Sequence, residues 1–154
     1  MNKVHKYLYL IFLSFGFIFL RSSYGKFKGG TFVSSLPESL TKFASKNPYP
    51  FVKEFLNSTA IPSSGFFGIL TMWGELMVGL SLFGISVYLL FGGKGIKLLY
   101  SLYAAGLIGG MFLNGVFWLA AGWTSPSTES LNLLMFLVQA VGLLFVSERL
   151  LSNK

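Results

Sequence analysis

The 154-residue chain is 53% hydrophobic and 18% aromatic, has only 11% charged residues, and carries a net charge of +7. Because soluble domains average about 25% charged residues, this composition predicts a single-domain integral membrane protein. The basic residues flank apolar runs, as headgroup anchors do, which argues against a nucleic-acid-binding protein. With no cysteine and one histidine, His5, the chain has no disulfide, thiolate metal site, iron–sulfur cluster or haem held by two of its own histidines.

The first predicted membrane helix covers residues 7–28. Lys3 and Lys6, followed by an apolar stretch over residues 7–20, are also typical of a signal peptide. A helix that continues past Arg21 to Lys28 has about 22 residues, enough to cross roughly 30 Å of hydrocarbon. We therefore expect a retained first helix.

The connection over residues 29–64 holds four of the five prolines, yet its apolar residues are periodic. Two helical faces can be traced: the first has Leu36, Leu40 and Phe43, and the second has Phe51, Val52, Phe55 and Leu56. The prolines of Asn47–Pro50 would break a single continuous helix. We expect two short amphipathic helices that lie on the bilayer surface or cap the bundle.

Three more membrane helices are predicted over residues 65–91, 96–123 and 126–146. The glycine-rich segment 92–95 separates the first two of these. Ser125 is a candidate N-cap and Pro126 a candidate first residue of the last helix. A polar tail follows, with Glu148, Arg149 and Lys154. The predicted fold class is all-α: a four-helix membrane bundle with two short amphipathic helices between helices one and two.

Four spans place both termini on one side of the membrane. That side has six cations: Lys3, Lys6, Lys94, Lys97, Arg149 and Lys154. The other side also has six: Arg21, Lys26, Lys28, Lys42, Lys46 and Lys53. If Arg21 and Lys26 lie inside the bundle, the positive-inside rule predicts cytoplasmic termini in the cell membrane and residues 29–64 on the outer face.

Glu75 is the only charged residue between Glu54 and Lys94. An ionised side chain at mid-bilayer costs roughly 2.5–3.5 kcal/mol on insertion scales, so Glu75 should face the bundle interior. Antiparallel neighbours would bring Glu75, roughly 15 Å into its helix, near the depth of Arg21, roughly 10 Å from the end of the first helix. We expect an Arg21–Glu75 pair.

Two interpretations of that pair remain open. It can fix helix register only, or Glu75 can accept a proton beside a cationic pocket that suits a quinone or an oxyanion. Arg21, Lys26 and Tyr24 would line the pocket, with Lys26 nearer the outer headgroups. Elsewhere, Gly106 and Gly110 form a GxxxG pattern that permits close helix packing, and Asn114 is expected to hydrogen-bond across the bundle.

Two stretches, residues 19–56 and 62–84, carry a family resemblance. In order, they contain an arginine with a following G-K pair, an Asn-Pro element in the connection, and a glutamate followed by a glycine: Arg21, Gly25, Lys26, Asn47, Pro48, Glu75 and Gly79. This arrangement, over about residues 12–146, resembles the DoxX/DoxD family, and most closely its DoxD branch, the membrane subunit of archaeal thiosulfate:quinone oxidoreductase.

The resemblance implies one transmembrane domain over residues 1–154, acting as a subunit of a quinone-linked redox complex with other membrane subunits. Glu75 would take or relay a proton as quinone is reduced, and Arg21 with Lys26 would attract thiosulfate or a similar anion. No covalently bound cofactor is expected, and whether the chain is an enzyme stays open.

The alternative is a non-catalytic accessory subunit of a larger respiratory or photosynthetic complex, with its aromatic helices against lipid, pigment or protein. A cavity that reaches Glu75 and Arg21 would indicate the catalytic subunit. A sealed, dry pair would indicate the accessory one.

Overall fold

The computed structural model describes residues 3–152, and the side chains of residues 5–151. All regular structure in this part of the chain is helical: α1 (Lys3–Gly29), α2 (Phe32–Ser45), α3 (Pro50–Phe55), a π-helical turn (Leu56–Ala60), α4 (Ser64–Leu90), α5 (Lys97–Ala121), a 3₁₀ turn (Gly122–Thr124) and α6 (Pro126–Ser152). Helices α1, α4, α5 and α6 are long and apolar enough to cross a membrane. The predicted all-α architecture with four candidate membrane spans is confirmed.

The last helix is longer than predicted. It runs to Ser152 rather than ending near residue 146, so Glu148 and Arg149 are helical. No glycine or proline after Val146 stops the helix. Lys154, the last residue of the predicted tail, lies outside the described residues.

The start of α6 is as predicted. Pro126 is its first residue, and the backbone N–H of Thr128 donates to the Ser125 hydroxyl at 3.1 Å. This is the hydrogen bond by which an N-cap side chain satisfies a free donor of the first helical turn.

Helices α1 and α4 pack antiparallel along most of their length. A methyl group on Gly79 would lie 2.9 Å from the backbone nitrogen of Leu20, and one on Gly16 would collide with the backbone of Phe83. Each helix thus supplies one glycine against which the other helix closes. These close approaches are possible only without a side chain, which sets the register of the two helices.

The long helices are neighbours in the order α1, α4, α5, α6. Gly106 of α5 faces Ser81 of α4, whereas Gly110 faces Gln139 of α6. The two glycines of the GxxxG pattern therefore contact different helices. The bundle has two ends: the terminal end, where α1 begins and α6 ends, and the cap end, where α1 leads into α2.

Helices α2 and α3 and the π-helical turn form a cap with its own small apolar core. The core consists of Leu40, Ala44, Val52, Leu56 and Ala60. Phe51 and Phe55, which the sequence pattern grouped with Val52 and Leu56, are exposed instead. Residues four apart share a helical face, so residues 51 and 55 lie on one face of the cap and residues 52 and 56 on another.

Asn47 ties this cap to the bundle. Its amide nitrogen donates to the carbonyls of Leu119 and Ala120 at 3.1 and 3.2 Å, and its amide oxygen accepts from the N–H of Tyr49 at 3.0 Å. The last carbonyls of a helix have no intrahelical donor, so Asn47 caps the end of α5. The neighbouring Pro48 is exposed and lies in the break between α2 and α3.

Candidate functional site

The buried carboxylate of Glu75 is paired with the ammonium of Lys26. Lys26 Nζ lies 2.8 Å from Oε1 and 2.6 Å from Oε2 of Glu75. The Glu75 side chain is 3% exposed and that of Lys26 is 19% exposed. The pair therefore joins α1 to α4 with the carboxylate inside and the ammonium between it and the outside.

The ammonium of Lys26 has a full set of acceptors. Besides the two carboxylate oxygens, it donates to the Ser22 hydroxyl at 2.7 Å, and an ammonium has only three N–H donors. The Phe32 ring at the start of α2 covers Nζ at 5.1 Å from the ring centroid. A charge held by three hydrogen bonds and an aromatic face is stabilised where water is scarce.

The predicted Arg21–Glu75 pair is wrong, because the Glu75 carboxylate is paired with Lys26 and the Arg21 side chain is exposed. Arg21 and Lys26 are five residues apart, which places them about 140° apart around the helix. Arg21 therefore points away from the side of α1 that carries Lys26. Counting residues along the two helices compares depth only and leaves out the rotation of α1.

A signal for Lys26 is present in the sequence. Phe12, Phe19 and Lys26 follow one another at intervals of seven residues, which keeps them on one face of the helix. Phe12 and Phe19 are buried in the core. On the same face, the Ser23 hydroxyl donates to the Met72 carbonyl of α4 at 3.3 Å.

Other members of the predicted pocket lie at the surface. Tyr24 is 64% exposed, and Lys28 Nζ lies 5.8 Å from the centroid of the Tyr24 ring. With Arg21, these side chains make an exposed, cationic and aromatic surface on the second half of α1. Of the predicted binding residues, the structure brings only Lys26 to Glu75.

A second buried polar contact joins α5 and α6. The Asn114 amide donates to Gln139 Oε1 at 3.0 Å, and both residues are buried. Gln139 was not singled out from the sequence, although it is the only side-chain amide between Asn132 and Asn153. Its Nε2 is buried without a hydrogen-bond partner, as is Trp118 Nε1.

A cavity of about 270 Å³ opens between α5 and α6 beside this contact. Asn114, Trp118, Asn132 and Phe136 line it. A larger cavity of about 440 Å³ lies at the terminal end. Neither cavity is lined by Glu75 or Arg21.

Within residues 3–152, no three His, Asp or Glu side chains are grouped so that they could hold a metal ion. Several buried polar side chains of the long helices make contacts between helices. A further example is the Ser86 hydroxyl, which lies 2.6 Å from the Tyr103 hydroxyl between α4 and α5.

Comparison with protein-family models, curated proteins and solved structures gives no match for this chain. The resemblance to the DoxX/DoxD family therefore stays a prediction, and the geometry of the structure carries the functional argument.

Proposed function

We propose that this chain is a small polytopic accessory subunit of a larger membrane complex, and that Lys26–Glu75 is a structural ion pair. The observation that carries the proposal is the closed geometry of the pair. Both carboxylate oxygens of Glu75 are bound to Lys26, and the carboxylate is almost completely enclosed. A carboxylate that relays protons needs a partner that brings or removes a proton. Among the described residues, Lys26 is the only hydrogen-bond partner of the Glu75 carboxylate.

Two experiments test this proposal together. Native purification followed by mass spectrometry should identify other membrane proteins that co-purify with the chain. The apolar replacement Lys26→Met with Glu75→Leu should then leave these partners and the activity of the complex unchanged, because well-packed apolar groups can substitute for a buried ion pair. A doubly substituted complex that assembles but has lost its activity would refute the structural role.

A DoxD-like, quinone-linked subunit is the second candidate, favoured by the exposed cationic surface of α1. Arg21, Tyr24 and Lys28 are exposed on the side of α1 turned away from Lys26, and Lys26 itself is partly exposed beside Glu75. An anion such as thiosulfate attracted to this surface would have to pass around α1 to Lys26 before it competed with Glu75 for the ammonium. Glu75 could then take up a proton only as Lys26 turned away from it.

The second candidate predicts a specific kinetic result. Thiosulfate-dependent reduction of a soluble quinone should be measured with the purified complex. Arg21→Met should raise the thiosulfate concentration needed for half-maximal rate, because Arg21 would contribute to anion binding. Lys53→Met, which removes another exposed cation, this one from the cap, is the matched control. The absence of thiosulfate-dependent activity in an intact complex would leave the accessory role.

For orientation, we propose cytoplasmic termini and a cap on the outer side of the cell membrane. Six cations belong to the terminal end. Five remain at the cap end when Lys26, which is paired with Glu75, is set aside; Arg21 is exposed and not inside the bundle, so it stays in the count. The chain has no native cysteine, so single cysteines at Lys46 and Lys94 can be labelled in intact cells with an impermeant reagent.

Lys46→Cys should react from outside and Lys94→Cys only after the cells are opened. Phe112→Cys, on the exposed face of α5, is the control for a lipid-facing position and should react in neither case. The reverse pattern at positions 46 and 94 would invert the proposed orientation.

The cap itself is proposed to rest on the membrane surface, with Phe51 and Phe55 against lipid. Leu40, Val52 and Leu56 are buried in the small apolar core of the cap, while the exposed phenylalanines provide an apolar outer face. Trypsin should cut slowly at Lys42 and Lys46 when the protein is in bilayer discs. Phe51→Ser with Phe55→Ser should accelerate the cleavage if those rings anchor the cap.

A further inference from the structure

The cavity at the terminal end differs in character from the rest of the bundle. It measures about 440 Å³ and lies between the start of α1, the turn after α4 and the end of α6. Its polar lining comprises Lys6, Arg149, His5, Tyr9 and Tyr100. It is thus a concave site rich in N–H and O–H donors.

The side chains of the lining give the cavity a positive character. Among the described residues that line it, Lys6 and Arg149 are cationic and none is a carboxylate. Glu148 is exposed on the same end of α6 but is not part of the lining, and Lys94 and Lys97 are exposed on the adjoining turn. The cavity is therefore suited to an anion.

Arg149 is held in the cavity wall by contacts with α1 and with its own helix. Its Nη2 lies 2.7 Å from Nδ1 and 2.6 Å from Nε2 of His5, and its guanidinium carbon lies 5.6 Å from the centroid of the Phe145 ring. A guanidinium stacked on an aromatic ring keeps its planar donors in a defined direction. This arrangement favours an oxyanion with several acceptor oxygens.

The glycines of the α4–α5 turn shape the opposite wall. Gly92 adopts a φ of +88°, a conformation that glycine favours. A side chain at Gly95 would collide with Tyr100, and one at Gly93 with Tyr88. The turn therefore closes tightly over the tyrosines and adds no side chain that would fill the cavity.

Apolar groups complete the site. Leu89 and Leu90 line the cavity beside the cationic and phenolic groups, so its wall is part polar and part apolar. A ligand that matches both parts has an anionic head and an apolar body. Basic pockets between membrane helices near a headgroup layer bind anionic lipid heads in this way.

We propose that this cavity binds a phosphate group of an anionic phospholipid, with Lys6 and Arg149 contacting the phosphate and the two leucines contacting the start of an acyl chain. A soluble phosphate-bearing molecule would use the same cations without the leucines. The proposal is independent of the role of Lys26 and Glu75, which lie at the cap end.

The test uses the full chain in a neutral detergent and measures its thermal unfolding as ligand is added, because a ligand that binds the folded state raises the unfolding temperature. Three probes are compared: dioleoyl phosphatidylglycerol, dioleoyl phosphatidylcholine, and inorganic phosphate at ionic strength matched with sodium chloride. We expect saturable stabilisation by phosphatidylglycerol at concentrations at least tenfold below those needed for phosphatidylcholine.

Variants locate the binding. Lys6→Gln changes an exposed side chain and should weaken phosphatidylglycerol binding about fivefold, and Lys6→Gln with Arg149→Gln about 25-fold. Arg149→Lys keeps the charge but loses the planar donors stacked on Phe145, so it should weaken binding less than Arg149→Gln does without restoring the full affinity. The matched control, Lys42→Gln with Lys46→Gln, removes two exposed cations from the cap end and should leave binding unchanged.

Each outcome decides the proposal. Selective binding of phosphatidylglycerol that is lost only in the terminal-end variants supports the lipid site. Saturable stabilisation by inorganic phosphate, lost in the same variants, supports a phosphate site with a soluble ligand. Equal binding of the two lipids, or an equal loss in terminal-end and cap-end variants, overturns the proposal.

Discussion

The α1–α4 interface buries a carboxylate with an ammonium, whereas the α5–α6 interface buries two neutral amides. In the first, the charges of Lys26 and Glu75 are joined by two short hydrogen bonds, and Lys26 keeps 19% of its side chain exposed. In the second, Asn114 and Gln139 are enclosed and share one hydrogen bond, which leaves Gln139 Nε2 without a partner. Charge is placed where one member can reach the surface, and the enclosed contact is neutral.

The difference suggests different consequences when each contact is broken. A buried ion pair that loses one partner leaves an uncompensated charge, at a cost of about 3–5 kcal/mol. Interhelical hydrogen bonds between neutral groups in membrane bundles contribute only about 0.6–2 kcal/mol. The stability of the bundle should therefore be more sensitive to the α1–α4 contact.

The largest effect is expected for Lys26→Met. It leaves the enclosed Glu75 carboxylate without its counter-ion, so the free energy of unfolding in lipid–detergent discs should fall by about 3–5 kcal/mol. Glu75→Gln should cost less, because the ammonium of Lys26 can turn toward the surface. Combining Lys26→Met with Glu75→Leu should recover much of the loss.

Arg21→Met is the matched control for that series, since it removes a neighbouring cation from the same helix. The exposed Arg21 makes no contact with Glu75, so its replacement should change the free energy of unfolding by less than about 0.5 kcal/mol. A loss for Arg21→Met as large as that for Lys26→Met would contradict the pairing.

The next-largest effect is expected where a glycine faces the backbone of the neighbouring helix and not a side chain of it. Gly16→Ala places a methyl group against the backbone of Phe83 in α4, which cannot move aside, so we expect a loss of about 1–3 kcal/mol. Gly110→Ala meets only the terminal amide of Gln139, which can rotate, and should cost less. Gly84→Ala, where no atom is near, should be neutral or stabilising. Equal losses at positions 16 and 110 would show that the two interfaces are equally rigid.

A smaller effect is expected from the amide contact. Asn114→Leu leaves Gln139 Oε1 without its donor and should lower the free energy of unfolding by about 1–2 kcal/mol. Adding Gln139→Leu should reverse most of that loss, because both unpaired polar groups are then removed. The control is Asn132→Leu, since the Asn132 amide donates only to the Thr128 carbonyl within α6. No recovery in the Asn114–Gln139 double variant would mean that the contact is not coupled.

The smallest effect should follow Ser22→Ala, which removes the third acceptor of the Lys26 ammonium. Because Lys26 is partly exposed, water can replace the hydroxyl, and the loss should stay near the low end of roughly 0.5–1.5 kcal/mol. Ser14→Ala, which removes a hydroxyl bonded within α1, is the comparison. If Ser22→Ala lowers the free energy of unfolding more than Asn114→Leu does, water does not replace the Ser22 hydroxyl beside Lys26.

The sequence predicted well those features that depend on one helix at a time. The four long apolar runs, the Ser125 N-cap and the burial of Glu75 follow from local composition and from the cost of a charge in hydrocarbon. Features that depend on how two helices face each other were harder to predict from the sequence. The partner of Glu75 required the rotation of α1 as well as its depth, and the facing residue of each packing glycine required the register between helices.

Gln139 is a second residue whose interhelical partner could not be predicted from the sequence. In an apolar run, one amide indicates a polar contact but does not identify its partner, and Asn114 alone gave no indication that it would meet Gln139. In the cap, the second predicted face combined exposed and buried residues: α3 has only six residues, too few for the pattern to separate Phe51 and Phe55 from Val52 and Leu56.

The positions of Lys26 and Glu75 also have a consequence for the order of events during synthesis. Glu75 follows Lys26 by 49 residues, which takes roughly 2–10 s at about 5–20 residues per second. Lys26 lies three residues before the end of α1, so its long side chain can hold the ammonium at the headgroups during that interval. Glu75 lies eleven residues into α4, roughly 16 Å from its start, beyond such reach. The Glu75 carboxylate is therefore inserted after its counter-ion, the Lys26 ammonium, is already in place at the headgroups.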